Sequence, residues 1–345
     1  MKMHIKLFNS ALVFGLLSLP VISFAGTGDD IDKKKTINRS YTVTANDKLE
    51  IENSFGDVVV NTWDKNEIKV DIEIGAKAPT DQKAQEMLDQ IEVSDSRSGN
   101  TISFKTDVDI HDHKGKNKHD DNGEGDRKFY IDYTIYMPAV NPLEIENSFG
   151  KTKVPDFKGP VSLTSKFGSL NAGNLANVNE IDVEFGKAEL GSIHNGEISF
   201  KFNSKSTIDK VSGSIKIKSE FSGNVHFAVD NNIDELSVYE SYSNVFMVVT
   251  KDLSANFDVH TSFGNFHNGT DFKIAESRDD DDQYGPHFDK DYSGQAGSGK
   301  AKIKIKSSFG KVKISDSNDK TISNDNDEDD DKTEKQKSKK SKTSI

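Results

Sequence analysis

Apolar and polar residues alternate along most of this chain, and the alternation changes phase at recurring points. Ahead of those points apolar residues fall at even offsets from an aromatic: Leu143 and Ile145 before Phe149, Val161 and Leu163 before Phe167, Ile303 and Ile305 before Phe309. Beyond them the offsets are odd, as with Leu170 and Ala172, Ala188 and Leu190, or Val312 and Ile314. Period two predicts strands with one buried face. A one-residue slip turns every side chain over, so the chain must bend or bulge there to keep both strands on one core. The alternation puts the aromatic itself on the buried face. The glycine that follows it is suited to the bend because it takes positive φ without steric cost.

These corners recur at Phe55-Gly56, Phe149-Gly150, Phe167-Gly168, Phe185-Gly186, Phe263-Gly264 and Phe309-Gly310, the first two within identical "ENSFG" stretches. Phe202, Phe221 and Tyr242 occupy the same phase, with Asn203 and Ser222 replacing glycine in the first two. From Phe149 to Phe263 the aromatics are spaced by 18, 18, 17, 19, 21 and 21 residues. Phe309 lies 46 residues further on, and a polar insert at 276–300 accounts for the excess. A period near 20 is the signature of a solenoid. The expected fold is mainly β: a β-helix-like solenoid of roughly 17–21-residue coils over 143–314, with inward aromatics stacked coil on coil. Seven steps at strand spacing make a rod of roughly 34 Å.

Residues 41–142 read differently, as a small N-terminal α+β cap. Glu67–Ile74, Thr101–Val108 and Lys128–Met137 alternate as strands, the last two separated by a polar loop at 111–127. Thr80–Ile91 opens on a capping residue and carries Ala84, Met87, Leu88 and Ile91 at helical spacing. Such a cap would block end-to-end aggregation of the coils. Residues 26–40 read as a linker. The tail 315–345, an acidic block followed by a basic one, has too little apolar surface to offset ordering entropy and is expected to be disordered.

Residues 1–25 have the three parts of a secretory signal: Lys2 and Lys6, an apolar stretch over Ala11–Val21, and Ser23-Phe24-Ala25 as the cleavage site. Export to the periplasm, the cell surface or the medium follows, with no membrane insertion after cleavage. The chain has no cysteine, which excludes disulfides, thiolate metal sites, cysteine nucleophiles and a lipid-attachment cysteine. Its net charge of -12, two units more negative once the leader is removed, disfavours nucleic acid and anionic lipid as partners.

"LEIENSFGDVVVNTWDKNEIKVDIEI", the helix near Met87, "YIDYTIYMPAVNPLEIENSFGKTKV" and the corner repeats together resemble the bacterial "putative adhesin" β-strand-repeat family, an exported domain of unknown function common in Bacteroidota. The resemblance covers about Tyr41 to Ile314. It implies a β-helix-like solenoid with no known reaction and an adhesin-like role.

Stacked coils would align outward residues in columns. One residue ahead of the aromatic, Lys166, Glu184, Lys201 and Glu220 alternate in sign as a cross-strand ladder. Glu180 and Glu197 are the one neighbouring carboxylate pair worth naming for glycosidase chemistry, which needs two carboxyls about 5–9.5 Å apart. His111, His113, Asp120 and Asp121 in one loop are metal-ligand types, as are Asp279–Asp282, His287, Asp289 and Asp291 in the other. Weak divalent-cation binding is the only cofactor chemistry they suggest. Trp63 follows a strand and is expected in the cap core. No nucleophile elbow or phosphate-binding glycine loop is present. The sequence therefore points to a non-enzymatic envelope or surface protein presenting acidic loops to a surface glycan or envelope protein. A β-helical polysaccharide-active enzyme and a ligand-free structural or stress-related periplasmic protein are the alternatives.

Overall fold

The computed structural model describes residues 30–109, 128–277 and 288–316. The fold is mainly β with one short helix, and its strands join a single hydrogen-bonded sheet that does not close on itself. The N-terminal part comprises β1 (Ile31–Thr42), β2 (Lys48–Ser54), β3 (Val58–Thr62), β4 (Glu67–Ala78), α1 (Asp81–Asp89), β5 (Ile91–Ser98), β6 (Thr101–Val108) and β7 (Lys128–Met137). The middle comprises β8 (Leu143–Ser148), β9 (Lys151–Val154), β10 (Phe157–Lys166), β11 (Ser169–Ala172), β12 (Leu175–Glu184), β13 (Lys187–Lys201), β14 (Lys205–Glu220), β15 (Asn224–Ser241) and β16 (Asn244–Val249). The C-terminal part comprises β17 (Ala255–Ser262), β18 (Asn265–Gly269), β19 (Lys273–Ser277), β20 (Asp289–Ala296), β21 (Ala301–Ser308) and β22 (Lys311–Asp316).

At each change of phase one strand ends and another begins, β2 and β3 about Phe55, β8 and β9 about Phe149, β10 and β11 about Phe167. Strands ahead of the corners pair in parallel with like residues opposed: Leu49 with Leu143, Leu143 with Val161, and Ile51 with Ile145. Strands after the corners do the same, Ser169 lying between Lys151 and Lys187. Like-with-like register over many repeats puts every inward side chain on its counterpart. The result is one continuous core that includes Leu49, Val58, Ile198, Phe200, Ile208, Ile305 and Ile314.

Both ends of this parallel array finish in antiparallel strands. β6 and β7 pair in parallel with β2 and β3, after which β5 adds to β6, β4 to β7 and β1 to β4 in antiparallel sense. At the other end β20 runs antiparallel along β17, and β19 along β20. Reversing strand sense removes the parallel edge that a second copy could extend. α1 begins at Thr80, whose side chain accepts from the Lys83 N–H, and it buries Ala84 and Leu88. It stops two residues before Ile91, which starts β5 and is buried there.

Three expectations are corrected. Residues 31–40, read as linker, form most of β1, in unbroken register with β4 from Ile31 opposite Ala78 to Thr42 opposite Glu67. The insert at 276–300 is not all extra loop, because its residues 289–296 form β20 on β17. Nor do the last two repeats follow sequence order. β21 pairs with β15 on one side and β17 on the other, and β22 lies between β16 and β18. The Phe309 repeat therefore fills a place left between the Tyr242 and Phe263 repeats. Spacing alone could not reveal this, since an inserted repeat and an appended one have the same period.

Candidate binding surface: a ladder of exposed rings

The corners bend by a different device from the one the alternation suggests. The aromatic, not the glycine, takes positive φ: 66° at Phe55, 59° at Phe149, 54° at Phe167, 55° at Phe185, and 49–58° in the remaining repeats. A left-handed residue costs a non-glycine side chain roughly 1–2 kcal/mol. It also turns that side chain out of the core, and from Phe149 onward the rings are 45–54 % exposed. Phe55, Phe149, Phe167, Phe185, Phe202, Phe221, Tyr242, Phe263 and Phe309 are thus outward, a correction to their inward assignment. The glycines meet another demand. A Cβ on Gly150 would overlap the Gly56 carbonyl, and one on Gly168 the Gly150 carbonyl, so neighbouring repeats approach too closely for a side chain. Gly56, Gly186 and Gly310 are equally closed, and Gly264 is tight against Gly310.

Once outside, the rings stack. Phe55 lies on Phe149 at 5.1 Å between centroids, Phe149 on Phe167 at 4.9 Å, Phe167 on Phe185 at 4.8 Å and Phe185 on Phe202 at 4.8 Å. The series goes on through Phe221 at 5.4 Å, Tyr242 at 5.0 Å, Phe309 at 4.7 Å, Phe263 at 5.0 Å and Phe288 at 4.5 Å. Phe185 and Phe202 are within 2° of coplanar orientation. Phe129 closes the first end edge-on to Phe55. Each stacked pair contributes about 0.5–1.5 kcal/mol. The corner N–H groups also keep the ladder of hydrogen bonds unbroken, Phe149 donating to the Lys166 carbonyl and Phe167 to the Glu184 carbonyl, both at 2.9 Å. Stacking and bonding together offset the left-handed backbone.

A polar column lies under the corners. Asn53 donates to the Ile131 carbonyl at 3.1 Å and to Asn147 Oδ1 at 3.2 Å, and Asn147 donates to the Gly56 carbonyl at 3.1 Å. Where glycine is replaced, side chains take over: Gly186 N–H donates to Asn203 Oδ1, Asn203 N–H to Ser222 Oγ, and Ser222 N–H to Ser243 Oγ. The Ser243 N–H ends this relay on Glu240 Oε1 at 2.6 Å, and Ser307 Oγ donates to Glu240 Oε2. Glu240 is 4 % exposed, and burial raises its pKa.

Of the two carboxylates read from the sequence, Glu197 is tied up by lysines. Glu180 and Glu197 are opposed in register on β12 and β13. Glu197 binds Lys218 at 2.5 Å and Lys216 at 3.1 Å, and the Lys218 hydrogen bond in particular lowers its pKa, the opposite of what a general acid needs. Stacking of the Phe55 and Phe149 repeats creates two further opposed pairs that sequence reading missed, Glu50 with Glu144 and Glu52 with Glu146. Lys48 bridges the first pair, at 2.8 and 2.6 Å, while Lys105 and Lys166 hold Glu52 and Glu146. The alternating column forms as read in part, with Lys201 on Glu184 at 3.1 Å. Trp63 lies at the edge of the cap, stacked on Tyr136 at 5.4 Å and donating to the Glu67 carbonyl. His111, His113, Asp120 and Asp121 lie outside the described residues, as do Asp279–Asp282 and His287. Asp291 binds His260 Nδ1 at 2.8 Å. Among the described residues no three metal-ligand side chains converge.

With this geometry in view, the chain is similar to solved bacterial structures described as adhesins. A "putative cell adhesion protein" from Clostridium sporogenes is 13 % identical, with 82 % of this chain and 100 % of that one covered and a TM-score of 0.25. A "putative adhesin" from Bacteroides fragilis is 12 % identical over 81 % and 97 % of the two chains, with a TM-score of 0.34. A "putative lipid binding protein" from Parabacteroides distasonis is 12 % identical over 81 % and 96 %, with a TM-score of 0.29. No family model and no curated protein matches the chain.

Charge is distributed unevenly beside the ladder. On its β9–β11 side the outward column contains Lys151, Lys187, Lys205 and Lys311, with serine and asparagine at the intervening positions. None of these lysines makes a salt bridge among the described residues, unlike Lys48, Lys105, Lys201 and Lys216. On the other side Lys166 and Lys201 alternate with Glu184 and Glu220. No helix among the described residues is long and apolar enough to cross a membrane.

Proposed function

We propose that this chain is a non-enzymatic, exported β-solenoid of adhesin-like character, a rigid scaffold that binds another surface along its side. The observation behind this reading is the ring ladder. A contiguous exposed apolar strip is uncommon on a soluble protein and marks an interaction surface. The strands pair in parallel at repeats of 17 to 21 residues, which is how a solenoid builds an extended face from short units. The lysines that clamp Glu197 count against glycosidase chemistry. Binding is thus assigned to the ladder rather than to the acidic loops favoured by the sequence. Fluorescently labelled protein should bind bacterial cells or isolated envelope saturably and leave envelope glycans uncleaved. Release of reducing ends from such glycans would contradict the reading.

A further inference from the structure

We propose that the ring ladder and the lysine column beside it form a docking strip for an anionic lipid bilayer surface. The proposal rests on the scaffold reading above and names what the scaffold touches. Three observations carry it.

The first is which part of each ring is available. Phe167, Phe185 and Phe202 are stacked at 4.8 Å and nearly coplanar, so their faces are covered and only edges reach solvent. Sugar recognition by aromatic platforms uses ring faces, which this arrangement withholds. A row of edges offers a narrow apolar ridge rather than a platform of ring faces. A partner that is apolar but makes no demand on shape suits such a ridge, and the headgroup–acyl boundary of a bilayer is one.

The second is length. Nine steps at ~4.8 Å make a strip about 43 Å long. Its rings are about half exposed, so the ridge could enter the interface without unstacking.

The third is local charge. Lys151, Lys187, Lys205 and Lys311 lie beside the ridge without salt-bridge partners among the described residues. The alternating charges across the ridge cancel. The net charge of -12 argues against anionic partners for the chain as a whole. A bilayer, however, senses charge within about 8 Å at physiological ionic strength, and the nearest column is basic. Apolar edges flanked by lysines that make no salt bridge among the described residues match the combination that holds peripheral proteins on anionic membranes.

The test uses the full-length mature chain with phosphatidylcholine vesicles containing or lacking phosphatidylglycerol. Co-sedimentation should occur with phosphatidylglycerol and weaken with added salt. The quadruple variant Lys151→Gln/Lys187→Gln/Lys205→Gln/Lys311→Gln alters exposed side chains and should fold. Each lysine is expected to contribute about fivefold, so its vesicle affinity should fall a hundredfold or more. A second variant, Trp63→Phe with Phe185→Trp, puts the one tryptophan in the ladder, and its emission should shift to the blue on anionic vesicles. Absence of lipid-dependent sedimentation overturns the proposal. So does a quadruple variant that binds as the wild type does, or a blue shift that follows protein concentration without vesicles, which would mean that a second copy covers the ridge. A chain that ignores vesicles yet adheres to cells overturns this proposal alone, whereas glycan cleavage would overturn the scaffold reading.

Discussion

Phe185 and Phe200 are fifteen residues apart in β12–β13 and its corner, and they illustrate two uses of one side chain. Phe200 is wholly buried at a strand position, while Phe185 sits at 55° in φ with its ring outside. Replacing Phe200 with alanine should cost about 3–5 kcal/mol, as for other buried aromatics. Phe185→Ala loses two stacks and little core, so about 1–3 kcal/mol is expected, toward the lower end because the rings are half exposed. Urea denaturation of both variants checks the outward placement, which would be wrong if the two costs were equal. Glu240 gives a second residue-scale expectation. Its folded pKa is raised by burial, so the stability it confers is present below its ordinary carboxylate pKa and is lost as pH rises through the raised value. Glu240→Gln can still accept from Ser243 N–H and can donate to Ser307. It should therefore melt higher than wild type at pH 8, with the difference shrinking at pH 4. An equal difference at both values would show that Glu240 is not the titrating group.

At the scale of elements, the strands were legible because period-two alternation records one buried face, and Leu143, Ile145, Leu170 and Ala172 are all buried as read. The helix was legible from Thr80 and the spacing of Ala84 and Leu88. The orientation of the corner rings was not. Alternation gives the face of a residue only while the backbone stays extended, and a left-handed residue breaks the rule at the place where it was applied. β1 was hidden for a related reason: "IDKKKTINRSYT" is exposed or half-buried throughout, and only Ile37 and Tyr41 pack on the core, too few to make an apolar stripe; backbone pairing with β4 and ion pairs such as Arg39 with Asp95 supply the rest. β20 was hidden in the same way inside a polar insert. It nevertheless covers β17 over eight residue pairs and brings Phe288 onto Phe263. Deleting 289–296 should accordingly lower the melting temperature by several degrees and promote self-association through the bared β17 edge. An unchanged melting curve and a monomeric sedimentation profile would show the strand to be dispensable.

For the whole molecule, a local rule repeated many times produces a long-range feature. Each corner sets one ring outside, like-with-like register aligns the rings, and the sum is a ladder that no single repeat contains. The paired carboxylates follow the same logic, since Glu52 and Glu146 are far apart in sequence and adjacent once repeats stack. Charge behaves likewise: the total of -12 concealed a basic column that appears only in register. The central claim is therefore the stacking itself, including the place of the last repeat. The chain has no cysteine, so spin labels can be introduced in pairs at exposed positions of the lysine column. Lys151 is six strand steps from Lys311 and seven from Asn265 by the observed pairing. Double electron–electron resonance should give a narrow distance of about 29 Å for Lys151→Cys/Lys311→Cys and about 34 Å for Lys151→Cys/Asn265→Cys. The reverse order, or broad distributions for both pairs, would contradict the in-register stack described here.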